Sequence, residues 1–168
     1  FARPFHWLPA RVQWQNYATV WMNEEASMLR AFANTLYIAL FSIIGQMFIS
    51  SLAAYSFAKI NFKGKQVVFM LFLSSMMVPS QLTIIPRFML FKTIGLYNNL
   101  WAIILPAFFG ATSIFMLRQF YMGLPNDLIE AAKIDGAGHL RIFLRIMLPL
   151  TKAALMSSAA LVLLSSLL

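Results

Sequence analysis

The sequence contains no cysteine, and only five of its 168 residues are acidic. The absence of cysteine excludes disulfides and thiolate chemistry, and it leaves the redox compartment undetermined. Charged residues make up 11% of the chain, against roughly 25% in ordinary soluble domains. Hydrophobic residues make up 61%. A chain with so little charge cannot present a polar surface to water on every side, which indicates a membrane protein.

Motifs for catalysis and for cofactor binding are also missing. His6 and His139 are isolated, so no metal-ligand spacing exists. Ser74-Ser75 has no neighbouring base, and Gly64-Lys65 lacks the first glycine and the Ser/Thr of a phosphate loop. We therefore expect no enzyme, no catalytic residue, no metal and no cofactor. Both histidines are interpreted as solvated or as facing lipid headgroups.

Long apolar runs dominate the rest of the sequence. A helix that crosses a bilayer needs about 20 apolar residues, and four stretches of this kind are present. The predicted spans are residues 31–58, 66–85, 100–120 and 148–168, preceded by an external segment over residues 1–30. The predicted fold class is all-α, a polytopic transmembrane helical bundle with about four spans, and residues 1–168 form a single transmembrane domain.

Two of these segments carry further predictions. The aromatic residues of the external segment, Trp7, Trp14, Tyr17 and Trp21, are typical of the membrane interface, but a small local core explains them equally well. Pro79 lies within the second span and Pro86 follows it, so we expect a kinked or unwound outer end. Residues 87–99 are then interpreted as a short external helix and turn.

The net charge of +8 does not indicate nucleic acid binding, because the basic residues lie between apolar runs rather than in a stripe with interleaved aromatics. Alternating the loops places eight Lys and Arg residues on one side and five on the other. The side with more positive charge is predicted to be cytoplasmic. That side contains residues 124–149, a connection far longer than a helical hairpin requires; we call it the 124–149 loop.

The 124–149 loop is predicted to form two short helices. Pro125 suits a first helical position, Asp127 and Glu130 lie near the positive N-terminal end, and Gly136 is placed to end the helix in a left-handed turn. The second helix is predicted from about residue 138 to residue 148. Its expected apolar face consists of Leu140, Phe143, Leu144 and Met147, with Arg141 and Arg145 on another face. Periodicity alone favours an amphipathic helix on the membrane surface.

The loop also carries a recognisable motif. Glu130-Ala-Ala-X-X-Asp135-Gly136-Ala137, followed by Ile146-X-Leu-Pro149, closely resembles the cytoplasmic coupling motif of ABC importer permeases. Ala54-Tyr55 with Lys59, and Leu124-Pro125, extend the resemblance to the carbohydrate-importer branch. It covers residues 34–150. Members of this family commonly have six spans, so a first and a last span are expected to be missing here, and the sequence after Lys152 departs from the family pattern.

The resemblance implies a permease subunit of an ATP-driven solute importer in the cell membrane, for sugars or oligosaccharides. The implied partners are a separate ATP-binding subunit, a second permease subunit in a heterodimer, an external solute-binding protein and membrane lipid. The implied ATPase-coupling residues are Glu130, Ala131, Ala132, Asp135, Gly136 and Ala137. In this hypothesis the two alanines permit close approach of helices, Glu130 pairs with a basic residue of the ATPase, and Gly136 sets the angle between the two short helices.

Other interpretations remain open from the sequence. Glu130 and Asp135 also suit helix-end electrostatics alone. A secondary transporter or channel that is not driven by ATP is the main alternative, and a structural or assembly subunit is another. The candidates for the translocation path are Gln46, Ser80, Gln81 and Thr83. Helix packing, or rescue of backbone groups at Pro79, explains these polar residues equally well.

Overall fold

The computed structural model describes residues 13–22 and 28–167. Every regular element within these ranges is a helix, which confirms the all-α class. The chain divides into two compact units, Phe1–Leu36 and Tyr37–Leu168. Two residues that carried predictions, His6 and Trp7, lie outside the described residues.

The helices are connected by short turns. They are α1 (Gln15–Met22), α2 (Met28–Lys59), α3 (Lys65–Ser74), α4 (Ser80–Thr93), α5 (Trp101–Ala107), α6 (Ala111–Met122), α7 (Asp127–Ile134), α8 (His139–Leu150) and α9 (Lys152–Leu167). A 3₁₀ turn, Ser75–Met77, continues α3. Helix α8 contains a π-helical turn over Phe143–Met147.

Two segments of the described chain are long and apolar enough to cross a membrane as they stand. They are α2 and the segment Trp101–Met122, which contains α5 and α6. Two more crossings result if each bent helix pair counts as one span: α3 with α4, bent by 100°, and α8 with α9, bent by 78°. The described residues therefore hold two to four candidate spans, in agreement with the predicted polytopic bundle.

Pro79 divides the second predicted span into two helices. Val78 is extended, with ψ 115°, because the helical conformation is disfavoured for a residue that precedes proline. Pro79 then immediately precedes α4. The predicted kink is thus confirmed as a break of 100°. Pro86, in contrast, lies inside α4, and the external helix predicted from Arg87 begins at Ser80 instead. That boundary was wrong because one internal proline removes a single hydrogen bond and need not end a membrane helix.

The unit Phe1–Leu36 contains the aromatic residues of α1. Trp14 is 74% exposed, Tyr17 65% and Trp21 45%. The rings of Trp14 and Tyr17 lie 6.0 Å apart, and those of Trp21 and Phe32 lie 6.3 Å apart. These pairwise contacts leave much of each ring open, so the described aromatics do not form a packed local core. Their location at a membrane interface stays a prediction.

The core of the unit Tyr37–Leu168 joins the 124–149 loop to the long helices. Its buried members come from α2, α6, α7, α8 and α9, and they include Ala54, Tyr55, Leu117, Tyr121, Ile129, Ala132, Ile142, Phe143, Met147 and Leu155. Consequently the loop is packed into the bundle on one side. It is not a surface appendage.

Glycines allow α2 to approach the junction between α5 and α6. A Cβ atom at Gly45 would collide with the ring of Phe108, and one at Gly110 would collide with the side chain of Gln46. Small residues at such crossings let membrane helices pack closely. The close approach brings Gln46 within hydrogen-bonding distance of Ser113, whose Oγ accepts from Gln46 Nε2 at 2.9 Å.

Candidate functional site in the 124–149 loop

Helix α7 is the first element of the 124–149 loop. The carbonyl of Asn126 accepts hydrogen bonds from the backbone N–H groups of Ile129 and Glu130, at 2.8 and 3.0 Å. Asp127 and Glu130 occupy the first turn, and Lys133 lies in the last. Each charge therefore has the sign that the helix dipole favours at its end. The predicted first helix is confirmed, but it begins at Asp127, so Pro125 precedes the helix and does not occupy its first position.

A left-handed turn at Gly136 ends α7. Gly136 has φ 77°, and its N–H donates to the carbonyl of Lys133 at 3.0 Å, while the N–H of Ala137 donates to the carbonyl of Ala132 at 2.9 Å. This pair of bonds is the Schellman motif, which favours glycine because L side chains are strained at positive φ. The predicted left-handed turn is confirmed.

The six proposed coupling residues divide between two sides of the loop. Ala132 is 8% exposed and belongs to the core, and Ala137 is half-buried against it. Glu130, Ala131, Asp135 and Gly136 are exposed. Within residues 13–22 and 28–167, no side-chain hydrogen bond or ion pair engages the carboxylate of Glu130 or Asp135. The inner residues therefore fix the loop, and the outer ones are available to another molecule.

Helix α8 follows a register that the sequence did not predict. Phe143 is 1% exposed and Met147 is fully buried, but Leu140 is 66% exposed and Leu144 is 47% exposed. Ile142 is fully buried instead. Half of the predicted apolar face was therefore wrong, since Leu140 and Leu144 are exposed while Phe143 and Met147 are buried. Leu140 and Ile142 precede the π-helical turn Phe143–Met147, so packing of α8 against the core, and not this turn, decides their burial. The buried residues of α8, Ile142, Phe143 and Met147, pack in the protein core.

The outer surface of the loop combines apolar and acidic groups. Ile134, the last residue of α7, is 87% exposed, and Leu140 lies exposed on the other side of the Gly136 turn. The free carboxylates of Glu130 and Asp135 lie on the same short segment. We call Glu130, Ile134, Asp135 and Leu140 the outer face. Protein interfaces commonly combine such exposed apolar residues with charged ones.

Polar side chains of α2 reach the loop from inside the bundle. Lys59 Nζ donates to the carbonyl of Leu124 and to Asn126 Oδ1, each at 2.7 Å. Tyr55 shares a hydrogen bond of 3.2 Å with Nδ1 of His139. His139 is exposed to solvent, as predicted. Its ring also makes the hydrogen bond to Tyr55, which was not predicted. Neither pairing is visible in the sequence, because the partners lie 84 and 65–67 residues apart.

The carboxyl end of α2 is capped by cations from neighbouring helices. Arg118 Nε donates to the carbonyl of Phe57 at 3.3 Å, and Lys65 Nζ donates to the carbonyl of Ala58, also at 3.3 Å. The guanidinium of Arg118 also lies 4.1 Å from the centroid of the Phe69 ring, a cation–π contact. Cations at a helix C-terminus are favoured by the helix dipole, so this end of α2 is firmly held.

The candidates for the translocation path do not come together. Gln46 is 8% exposed and, with Ser42, lines a cavity of about 420 Å³ between α2, α5 and α9. Ser80, Gln81 and Thr83 lie in α4 and do not line this cavity. Thr83 instead donates to the carbonyl of Ser80 at 2.8 Å. Of the four candidates, only Gln46 lines this partly open and largely apolar cavity, and a role in translocation stays a prediction for each.

Comparison with known proteins identifies relatives over most of the chain. Residues 46–168 match the family model described as "Binding-protein-dependent transport system inner membrane component". Over 146 residues the chain is 36% identical to the arabinooligosaccharides transport system permease protein AraQ of Bacillus subtilis, covering 87% of this chain and 52% of that protein. Over 159 residues it is 32% identical to the sn-glycerol-3-phosphate transport system permease protein UgpE of Yersinia enterocolitica, covering 92% and 57%.

Two further similarities extend this comparison. The diacetylchitobiose uptake system permease protein NgcG of Streptomyces coelicolor is 32% identical over 161 residues, covering 95% of this chain and 51% of that protein. A crystal structure of a bacterial ABC transporter involved in the import of the acidic polysaccharide alginate superposes with a TM-score of 0.82 at 25% identity, covering 95% of this chain and 55% of that one. The chain therefore spans about half the length of the relatives it matches.

Proposed function

This chain belongs to the family of binding-protein-dependent transport system inner membrane components, and we propose that it is a permease of an ATP-driven importer whose ATPase subunit docks on the 124–149 loop. The family is one of transport permeases rather than of enzymes, and its members are integral to the inner membrane. The apolar helices α2 and Trp101–Met122 agree with that location. Because the chain contains no phosphate loop, ATP hydrolysis is assigned to a separate subunit.

The outer face is the observation that supports ATPase docking on the loop. The core residues of α7 and α8 are buried within the bundle, so the buried apolar side of α8 is not free to enter a membrane surface. The exposed side of the loop includes Ile134, Leu140 and two carboxylates without a partner among the described residues, together with Lys133, Arg141 and Arg145. Protein interfaces commonly combine apolar residues with charged ones. This arrangement favours a protein partner over lipid.

The six motif residues then take different roles. Glu130 and Asp135 supply charge to the interface, and Ala131 gives a small outward surface over which the partner can approach closely. Ala132 and Ala137 pack inwards and hold the turn. Gly136 fixes the angle between α7 and α8 through its positive φ.

Replacing Ile134 by serine tests this docking directly. Burying an isoleucine side chain contributes about 1.5–3 kcal/mol, so we expect Ile134→Ser to weaken association with the ATPase subunit by at least about tenfold, since 1.4 kcal/mol corresponds to a factor of ten. The measurement is titration of the purified ATPase subunit onto the full-length permease complex in nanodiscs.

Ile94→Ser is the matched control. Ile94 is 56% exposed, and it too lies at the end of a helix, next to a left-handed glycine, Gly95. We expect this control to bind the ATPase as the unmodified protein does. Equal affinities for all three proteins would contradict docking on the outer face.

The transported solute is proposed from the relatives. Their names refer to arabinooligosaccharides, diacetylchitobiose and sn-glycerol-3-phosphate, and the matched structure to alginate. These are hydroxyl-rich molecules, which favours a carbohydrate or a similar polyol derivative as the solute here. A second permease subunit and an external solute-binding protein are proposed on the same grounds.

Gln46 is the candidate contact with such a solute. Its amide lies at the cavity between α2, α5 and α9, and amide groups suit hydroxyl recognition because they both donate and accept. We expect Gln46→Leu to lower uptake by the assembled transporter while ATPase binding stays unchanged. Thr93→Val on α4 is the control, because the Thr93 hydroxyl is exposed and donates to the carbonyl of Leu90, and we expect it to leave uptake unchanged. Uptake by Gln46→Leu equal to that of the unmodified transporter would exclude Gln46 from the path.

A further inference from the structure

Three polar residues form a row along the carboxyl half of α2. Ser51, Tyr55 and Lys59 are spaced four residues apart, so they lie one above another on the same face of the helix. Ser51 is fully buried and Tyr55 is 2% exposed. We call these residues the α2 row. In an apolar helix, buried polar side chains of this kind need partners, and each one finds its partner on a different element.

The first two members of the row are linked to the two ends of α8, Tyr55 directly and Ser51 through Tyr121. Tyr55 shares its hydrogen bond with His139, the first residue of α8. Ser51 shares a hydrogen bond of 2.7 Å with the hydroxyl of Tyr121 on α6. The same Tyr121 hydroxyl accepts from Thr151 Oγ1 at 3.3 Å, and Thr151 lies at the bend where α8 ends. Both ends of α8 are therefore linked to α2.

The third member bonds to the start of α7. Lys59 Nζ contacts the carbonyl of Leu124 and the side chain of Asn126. Asn126 is the residue whose carbonyl begins α7 by accepting from Ile129 and Glu130. Hydrogen bonds from an ammonium group are stronger than neutral ones. Lys59 thus binds at the N-terminal end of α7, the helix that contains Glu130.

The aromatic packing supports the same connection. The ring of Tyr55 lies 5.4 Å from that of Phe143 in the π-helical turn of α8 and 6.1 Å from that of Tyr121, by centroids. The cations Arg118 and Lys65 fix the end of α2 from the other side. A displacement of α7 or α8 is therefore transmitted to α2 by packing as well as by hydrogen bonds.

The other half of α2 leads to the cavity lined by Gln46. Gln46 and Ser42 line the cavity from α2, and Gln46 lies roughly 20 Å from Lys59 along the helix axis at 1.5 Å per residue. Both positions belong to the unit Tyr37–Leu168. One continuous helix thus connects the attachment points of the loop with the two polar residues of α2 that line the cavity.

We propose that α2 is the helix that receives the movement of the 124–149 loop, and that Tyr55 and Lys59 are the positioning residues that attach it. This inference rests on the proposed function, because the movement originates in the docked ATPase. It goes further by naming which helix of the bundle is driven and through which side chains. The α2 row acts through the loop and touches neither the ATPase nor the solute.

The double variant Tyr55→Phe/Lys59→Met tests the proposal in the assembled full-length transporter. Both replacements keep the size and the packing of the side chain but remove the hydrogen bonds. We expect ATPase binding and ATP hydrolysis to persist, while the solute transported per ATP hydrolysed falls at least about fivefold, the lower end of typical coupling between two sites. Rescue of that ratio by Tyr55→Phe/Lys59→Arg, which restores the charge, is the second expected result.

Ser56→Ala is the matched control, since Ser56 Oγ donates only to the carbonyl of Leu52 within α2. An unchanged ratio of transport to hydrolysis in the double variant would overturn the proposal. If the double variant does not assemble, the single variant Tyr55→Phe is measured instead, because it keeps the ring and removes only the hydroxyl. An unchanged ratio of solute transported to ATP hydrolysed in Tyr55→Phe overturns the proposal as well. Failure of the unmodified permease to bind the ATPase would instead overturn the proposed function.

Discussion

Replacing Gly136 by valine is expected to reduce ATP-driven uptake about tenfold or more. Gly136 has φ 77°, and a β-branched residue in this region is strained by roughly 1–2 kcal/mol, the equivalent of about a factor of ten. The strain is relieved by moving α7 against α8, which displaces the outer face. No heavy atom lies within 4 Å of the added Cβ position, so the effect arises from the backbone rather than from a clash. The measurement is solute uptake per assembled transporter in proteoliposomes.

Gly95→Val supplies a control with the same backbone strain. Gly95 has φ 79°, and it too has open space at the Cβ position. It ends α4 through the same pair of bonds, with Leu96 N–H donating to the carbonyl of Phe91 at 2.8 Å and Gly95 N–H to that of Lys92 at 3.3 Å. We expect a similar fall in melting temperature for the two variants but a loss of coupling only for Gly136→Val. Equal uptake by both variants would contradict the role assigned to the Gly136 turn.

Replacing Phe143 by alanine is expected to destabilise the permease by about 3–5 kcal/mol, as deletion of a buried aromatic side chain usually does. Phe143 is 1% exposed and packs against Tyr55. Its loss leaves a cavity where α8 meets α2. The measurement is the melting temperature of the purified full-length complex, together with the amount that assembles in the membrane.

Leu144→Ala is the informative comparison, because Leu144 is adjacent in sequence but 47% exposed. Its truncation is expected to cost less than about 1 kcal/mol, since little apolar area returns to water. A regular α-helix with the predicted apolar face would make both substitutions costly. A large destabilisation by Leu144→Ala would therefore contradict the exposed position of Leu144 on α8.

Local backbone chemistry explains what the sequence predicted well. Pro79 ends a helix and Gly136 reverses the chain through effects that act within a few residues, so the break in the second span and the two helices of the loop were predictable. The length of the apolar run 31–58 likewise indicated the long helix α2, which the structure places at Met28–Lys59.

Features that depend on tertiary packing were not predictable in the same way. The burial of Ile142 rather than Leu140 depends on how α8 packs against the core, and no single-residue signal in the sequence indicates the π-helical turn at Phe143–Met147. The partners of Tyr55 and Lys59 lie 84 and 65–67 residues away. One signal was present: polar residues at four-residue spacing, Ser51, Tyr55 and Lys59, in an otherwise apolar helix. That spacing indicates a common partner surface, although it does not identify the partner.

Uptake by the full-length permease, reconstituted with its partner permease, ATPase subunit and solute-binding protein, tests the central claim most directly. The measurement compares solute accumulation in proteoliposomes given ATP with accumulation in proteoliposomes given only a proton or sodium gradient. We predict that accumulation requires both ATP and the ATPase subunit, and that a gradient alone drives none. Accumulation under a gradient without the ATPase would contradict this account and would identify a secondary transporter instead.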